Sequence, residues 1–270
     1  MTKIFTAVLL FITMFFTGCG GRNTPADPDA GNTFEEVEKI VIGIDDEFAP
    51  ISFHNERSVL VGFDIDLAKE AAKRMGVEIE FKPIDWDKKR EAITSGNVDM
   101  IWDGLDITEE RKEYMIFSKP YMDDRQVLLV KEGNNLDIHS EGDLEGKIVG
   151  AQAGSTSDDY ISGNEELRNA LKDFKTYKHF TEVAEALKND EIELLVCDEL
   201  IARYEANNHP GQFELLNVKI GSVAEMAIGF RKDNTELRDK VQQTFDEMIA
   251  DGTAKKISEQ WFQADVIKQQ

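Results

Sequence analysis

The sequence predicts an α/β fold of two lobes joined by two extended hinge segments, with a ligand cleft between the lobes. Three observations lead there. Short apolar runs alternate with amphipathic helical patterns from Ile40 onward, the alternation occurs twice, and two further extended stretches lie at the seams. Alternation of this kind implies parallel sheets covered by helices on both faces. The first series runs over residues 40–125 and the second over 147–216. Residues 126–131 and 223–230 read as the crossing segments, and the last helices, 235–262, return to the first lobe. The boundaries expected are 36–128 plus 226–270 for lobe 1 and 129–225 for lobe 2.

Residues 1–18 stand apart. Lys3 provides a positive start, residues 4–16 are almost wholly apolar, and Thr17-Gly18-Cys19 ends the run with small residues. The apolar run is short of the roughly 20 residues that span a bilayer, and it suits a signal-peptide core. Phe16-Thr17-Gly18-Cys19 resembles a bacterial lipobox, with Phe16 where leucine is usual. That resemblance implies a diacylated Cys19 as lipid-attachment residue; the alternative is a general secretory signal with an incidental cysteine. Residues 19–35 are rich in Gly, Asn, Pro and Asp without apolar periodicity, and read as a flexible tether.

Within the lobes, strands are predicted at 40–44, 77–81, 98–102, 126–130, 147–151, 192–197 and 226–230. Leu67, Ala71 and Met75, with Ala68 and Ala72 beside them, predict a helix over 64–75 that stops at Gly76. Leu237, Val241, Phe245 and Ile249 predict a late helix that ends before Asp251-Gly252. Cys197 lies in an apolar strand and reads as a small core residue. If Cys19 is lipidated, Cys197 is left without a disulfide partner.

The formal net charge of −22 argues against nucleic acid as a partner, since no basic stripe offsets it. It does not identify a ligand. His54, His139, His179 and His209 are scattered and read as surface residues, and no zinc spacing, phosphate loop or Ser-His-Asp pattern stands out. No cofactor or metal is expected.

A series of short motifs occurs in order. They are Gly43-Ile44-Asp45 with Phe48-Ala49-Pro50, Gly62-Phe63-Asp64-Ile65-Asp66-Leu67, Asp85-Trp86, Gly96-Asn97-Val98-Asp99, Ile107-Thr108-Glu109-Glu110-Arg111 and Phe117-Ser118-Lys119-Pro120-Tyr121. Asp143-Leu144-Glu145-Gly146-Lys147, Gln152-Ala153-Gly154-Ser155-Thr156, Asp198, Asp251-Gly252-Thr253 and Trp261-Phe262 follow. Across residues 40–262 the chain resembles the family 3 extracellular solute-binding proteins of polar amino-acid ABC transporters. The resemblance implies a periplasmic-binding-protein type II fold, a free amino acid as ligand, permease subunits as partners, and an exported monomer held to the cell membrane by its lipid.

It also implies the site. Arg111, in the first turn of a helix capped by Thr108, would hold the ligand carboxylate through its guanidinium; taken alone, such an arginine is usually a solvated surface charge. Ser155 and Thr156, at the start of another helix, would close on the same carboxylate. Asp198, at the C-terminal end of a buried strand, would meet the ammonium, with the Gly104 carbonyl opposite; the plain alternative is a loop aspartate capping the next helix. Phe48 and Trp86 would line the first-lobe wall and sandwich the ligand side chain. Phe53 and Trp102 read as core residues, Trp102 with a chance of bordering the pocket.

Asp106 departs from the family's usual Ser or Thr, and Asp103 is acidic where a neutral polar residue is expected. Asp45 takes the position that meets cationic side chains in members binding lysine, arginine or histidine. Clustered carboxylates need balancing cations or protons, so a basic amino acid, arginine or lysine, is the first expectation. Glutamine, cystine or another polar amino acid is the second. The plain alternative for Asp103 is pairing with Arg111 or capping a turn. A dehydratase-like or glycan-cleaving enzyme on the same fold, or a detached sensor domain, is the less favoured class.

Overall fold

The computed structural model describes residues 39–134 and 136–269. The signal-peptide, lipid-attachment and tether readings lie outside these residues. Among the described residues no helix is long and apolar enough to cross a membrane.

The first half of the chain runs through β1 (Lys39–Ile44), β2 (Glu47–Phe48), β3 (Ser52–His54), β4 (Leu60–Val61), α1 (Phe63–Met75), β5 (Glu78–Pro83), α2 (Lys89–Thr94), β6 (Met100–Ile101), α3 (Glu109–Lys112), β7 (Met115–Phe117) and β8 (Met122–Lys131). The second half contributes β9 (Ile148–Gln152), α4 (Thr156–Gly163), α5 (Glu165–Ala170), β10 (Asp173–Tyr177), α6 (Phe180–Lys188), β11 (Leu194–Asp198), α7 (Glu199–Asn208), β12 (Phe213–Met226), β13 (Gly229–Arg231), α8 (Thr235–Ala250) and α9 (Thr253–Phe262). One five-stranded sheet has the order β5-β1-β6-β13-β7, and the other β10-β9-β11-β8-β12.

Neither sheet is wholly parallel, which corrects the sequence expectation. β5, β1 and β6 run parallel, but β13 is antiparallel to both β6 and β7. In the second sheet β10, β9 and β11 run parallel, while β8 pairs antiparallel with β11 and β12. The reason is connectivity. Parallel neighbours need a crossover, whereas β8 enters the second sheet from the first and β12 leaves it again, running directly into β13 with no helix between them.

The crossing also sits earlier on the first strand than expected. Residues 126–129 are already paired with β11, so they belong to the second sheet. The step between sheets is made at Met122–Asp124, which pairs with Met226–Ala224. Two register shifts in β12, after Leu216 and after Ile220, bend the pair there.

The two helices predicted from periodicity form where expected. The apolar face of α1 buries Leu67, Ala68, Ala71 and Ala72, and Gly76 ends the helix in the left-handed conformation. Gly62 starts it under tight constraint: with φ at +150°, a Cβ there would fall 2.0 Å from the Ile51 carbonyl oxygen. α8 buries Leu237, Val241, Phe245 and Met248, and with α9 it packs on α1, bringing the chain end back to the first lobe. Ile40, Ile42 and Ile44 of β1 are fully buried beside Phe63, Tyr121, Phe230 and Phe245. Each such side chain contributes about 1.5–3 kcal/mol.

Phe53 is half-buried between the Trp261 and Tyr204 rings. Trp102 is a core residue, edge-on to Phe245, and does not line the cleft.

Candidate functional site

The C-terminal ends of the parallel strands of both sheets point at one another, and the residues that follow them build a single cavity. β1 ends at Ile44 and delivers Asp45; β6 ends at Ile101 and delivers Asp103, Gly104 and Asp106. Across the cleft, β9 ends at Gln152 and leads to Ser155 and Thr156, while β11 ends on Asp198. All ten residues named from the sequence line this cavity: Asp45, Phe48, Trp86, Asp103, Gly104, Asp106, Arg111, Ser155, Thr156 and Asp198. Gln126, Gln152, Ser157, Phe180, Val196 and Cys197 complete the wall.

Arg111 sits in the short helix α3. Thr108 caps it as expected, its hydroxyl accepting the Arg111 N–H at 3.1 Å. The guanidinium is only 1% exposed as a side chain. Nη1 donates to the Asp106 carbonyl at 2.9 Å and to Thr156 Oγ1 at 3.4 Å, and Nη2 donates to the Gly154 carbonyl at 3.3 Å. Asp159 lies 3.4 Å from Nη2 and is the nearest carboxylate paired with it. Nε is buried without a hydrogen-bond partner, as is Asp106 Oδ1. Buried polar atoms left unpaired cost about 1–3 kcal/mol each, so both are donors or acceptors available to a guest.

The lobes touch directly across the cavity. Thr156 Oγ1 donates to Asp106 Oδ2 at 2.6 Å, Gln152 Nε2 donates to Asp45 Oδ2, and Lys89 Nζ donates to the Gly154 carbonyl at 2.5 Å. Phe48 meets Phe180 edge-on at 5.9 Å, and Lys178 pairs with Asp85 at 2.6 Å on the rim. Gly154 is where the backbones come closest. Its φ is +70°, and a Cβ would stand 2.7 Å from the Asp87 Cα.

Carboxyl groups crowd the site. Asp106, Asp124 and Asp198 bring carboxylate oxygens within 4.8 Å of one another. The Gln126 amide donates to Asp124 and to Asp198, 2.6 Å each, and accepts from Ser157 Oγ. Burial raises Asp106 and Asp124 above the usual carboxylate range. It also pushes Asp198 up to about 7, with Asp106 adding to the rise. Asp45 is raised by burial against the bonds it accepts from Gln152 and Glu47. On the other side, burial and the neighbouring Arg111 pull Lys89 down to about 8. Its ammonium lies 5.3 Å from the Trp86 ring centroid.

Two plain alternatives are resolved by the geometry. Asp103 does not pair with Arg111; it accepts the Asp45 N–H at 2.5 Å and the Ser52 hydroxyl, tying the turns after β1 and β6 together. Asp198 stands at the N-cap position of α7, but its side chain makes no cap bond and turns to Gln126. One expectation is corrected. His179 is half-buried, with Nδ1 3.5 Å from Asp45 Oδ1, because it starts α6 directly behind the cleft. Cys197 is a free, buried thiol and also borders the cavity.

Lys89, Gln126, Gln152, Ser157 and Phe180 escaped sequence reasoning. Gln152 lay inside a quoted motif at the end of a strand, which was a usable signal. Phe180 carries none, because only the fold brings it to the cavity wall; nor does Lys89, which lies beside the wall residue Trp86 and reaches the Gly154 carbonyl of the opposite lobe.

The chain is 30% identical over 243 residues to the L-cystine-binding protein TcyJ of Escherichia coli, covering 90% of each. It is likewise 30% identical over 255 residues to the arginine-binding extracellular protein ArtP of Bacillus subtilis, covering 93% of this chain and 94% of ArtP. The structure is similar to that of an ABC uptake transporter substrate-binding protein from Streptococcus pneumoniae with bound histidine. That pair has a TM-score of 0.79 and 36% identity, over 86% of this chain and 95% of the other. The family model matches residues 40–264, and the chain belongs to the bacterial extracellular solute-binding proteins, family 3.

Proposed function

We propose that this protein is the extracytoplasmic substrate-binding component of an amino-acid ABC transporter, capturing a free basic amino acid, arginine or lysine, between its lobes. The observation that carries the reading is the charge imbalance of one cavity between the lobes. Arg111 stands ready for a carboxylate, and Asp45, Asp103, Asp106 and Asp198 surround the remaining space. An α-amino acid supplies the missing carboxylate and ammonium, and a cationic side chain offsets the other acids. Relatives named for arginine, histidine and cystine support an amino acid as the ligand class. Phe48, Trp86 and Phe180 provide aromatic walls suited to a cation's face.

On this reading the site carries out capture and release rather than catalysis, and the lobe built on β5-β1-β6-β13-β7 closes on the lobe built on β10-β9-β11-β8-β12. Ligand stabilises the closed state through contacts with both lobes. The N-terminal sequence supports export and anchoring through Cys19, with the folded part acting as a monomer on the membrane surface. Calorimetric titration with arginine, lysine, histidine, glutamine and cystine tests the ligand. Arginine or lysine should bind tightest; tight binding of glutamine or cystine with no response to either basic amino acid would refute the charge reading. Turnover of arogenate or prephenate would favour an enzyme instead.

A further inference from the structure

Asp64 lies outside the cavity lining yet is fully buried in the first turn of α1. One of its oxygens, Oδ2, accepts two hydrogen bonds of 2.7 Å, from the Gly104 N–H and from the Tyr121 hydroxyl. Gly104 is a cavity-wall residue. Tyr121 immediately precedes β8, at the root of the crossing. Its N–H donates to the Met226 carbonyl at 2.9 Å, and its carbonyl accepts the Lys268 N–H at 2.8 Å. The turn after Gly104 is tied to the second crossing strand as well. The Ala227 N–H donates to the Leu105 carbonyl and the Ile107 N–H to the Glu225 carbonyl, both at 2.9 Å, and Asp106 bridges to Met226.

A single carboxylate therefore joins the cavity wall to the root of one crossing strand, while backbone bonds join the same wall to the root of the other. We propose that Asp64 is a positioning residue for ligand capture, holding the Gly104 turn in register with the hinge so that contact at the wall and closure of the lobes occur together. This rests on the reading of the cavity as an amino-acid site. It gives a role to a carboxylate placed where an apolar side chain would fit the core at lower cost. Burial pushes Asp64 up to about 7 against the Gly104 and Tyr121 bonds that favour its charged form. Asp103 and Tyr121 are the titratable groups that feel its charge most directly.

The test compares wild type, Asp64→Asn and Tyr121→Phe. Dissociation constants for arginine and lysine are measured from pH 5.5 to 8.5, with amide exchange at Gly104 in the ligand-free proteins. Asp64→Asn should weaken binding roughly tenfold or more, the fold-change expected for losing a buried hydrogen bond to a charged group. It should also flatten the pH profile and speed exchange at Gly104. Tyr121→Phe, which keeps the ring, should weaken binding by a smaller factor without changing the Gly104 amide. A parallel displacement of the pH profile, with Gly104 exchange unchanged, would reduce Asp64 to a structural role and overturn the proposal, as would wild-type affinity in Asp64→Asn. If Asp64→Asn does not fold, an unweakened Tyr121→Phe overturns it. If wild type binds no amino acid, the functional reading falls on its own, and Gly104 exchange still decides whether Asp64 holds the turn.

Discussion

Thr156 donates its hydroxyl to the Asp106 carboxylate at 2.6 Å across the cleft, one residue from each lobe. The same carboxylate has its other oxygen buried and unpaired. Asp106 thus closes the lobes with one oxygen and offers the second to a ligand. Its replacement by Asn keeps the size and removes the charge. Asp106→Asn is expected to weaken arginine and lysine by about tenfold and glutamine by less, read by calorimetry. An equal loss for all three would mean that the charge plays no part in choice of ligand.

Arg111 has a stronger prediction. Two parallel hydrogen bonds to a carboxylate, each worth about 1.5–3 kcal/mol when charged, imply at least a 100-fold loss of affinity in Arg111→Ala for any α-amino acid. Arg111→Lys should not rescue it, since an ammonium cannot form the planar fork. Near-native affinity in either variant would remove Arg111 from the carboxylate site.

The pH dependence follows from the buried acids. Asp45 and Asp106 titrate above the usual carboxylate range, and Asp198 at about 7, whereas in the unfolded chain such groups titrate near 4. Protonation therefore favours the folded, ligand-free protein. That contribution is complete below about pH 4 and is lost as pH rises through about 7. A cationic ligand favours the charged carboxylates, so its binding should release protons and tighten from about pH 5.5 to 8. Titrations in buffers of different ionisation enthalpy measure the release; affinity flat across this range would contradict the assignment.

Gly154 is predicted to be intolerant for a reason distinct from chemistry. Alanine there would carry φ of +70° and place its Cβ 2.7 Å from the Asp87 Cα on the facing lobe. Gly154→Ala should fold, with a cost of about 1 kcal/mol for the backbone conformation. It should then fail to close on ligand. Small-angle scattering with and without arginine checks this, and a ligand-induced contraction equal to wild type would disprove it.

The anchoring proposal has its own check. Cys19→Ala should move the protein from the membrane fraction to the soluble fraction of the producing cells, with ligand binding intact. Continued membrane association after detergent-free washing would argue against a lipid on Cys19.

Periodicity read the long elements well, because their burial is set locally. The stripe Leu67, Ala71 and Met75 and the stripe Leu237, Val241 and Phe245 each need one neighbouring surface, and the helices α1 and α8 match them closely. The ten candidate residues were legible through the family resemblance of the motifs that hold them. They follow strand ends or open helices, where an ordered set of motifs marks them, and the structure gathers all ten around one cavity.

The sequence by itself determined the alternating elements and the two-lobed plan, since side-chain polarity and turn chemistry act over a few residues, whereas the candidate residues came from the resemblance of its ordered motifs to a known family. Only the tertiary structure decided the antiparallel strands, the earlier crossing at Met122–Asp124, and the place of Lys89, Gln152, His179 and Phe180 around the cleft. These depend on contacts between segments far apart in the chain, and no local pattern encodes which distant backbone will arrive. The same holds for Asp103. Its sequence neighbours left pairing with Arg111 open, whereas the fold brought the Asp45 N–H and the Ser52 hydroxyl to it first.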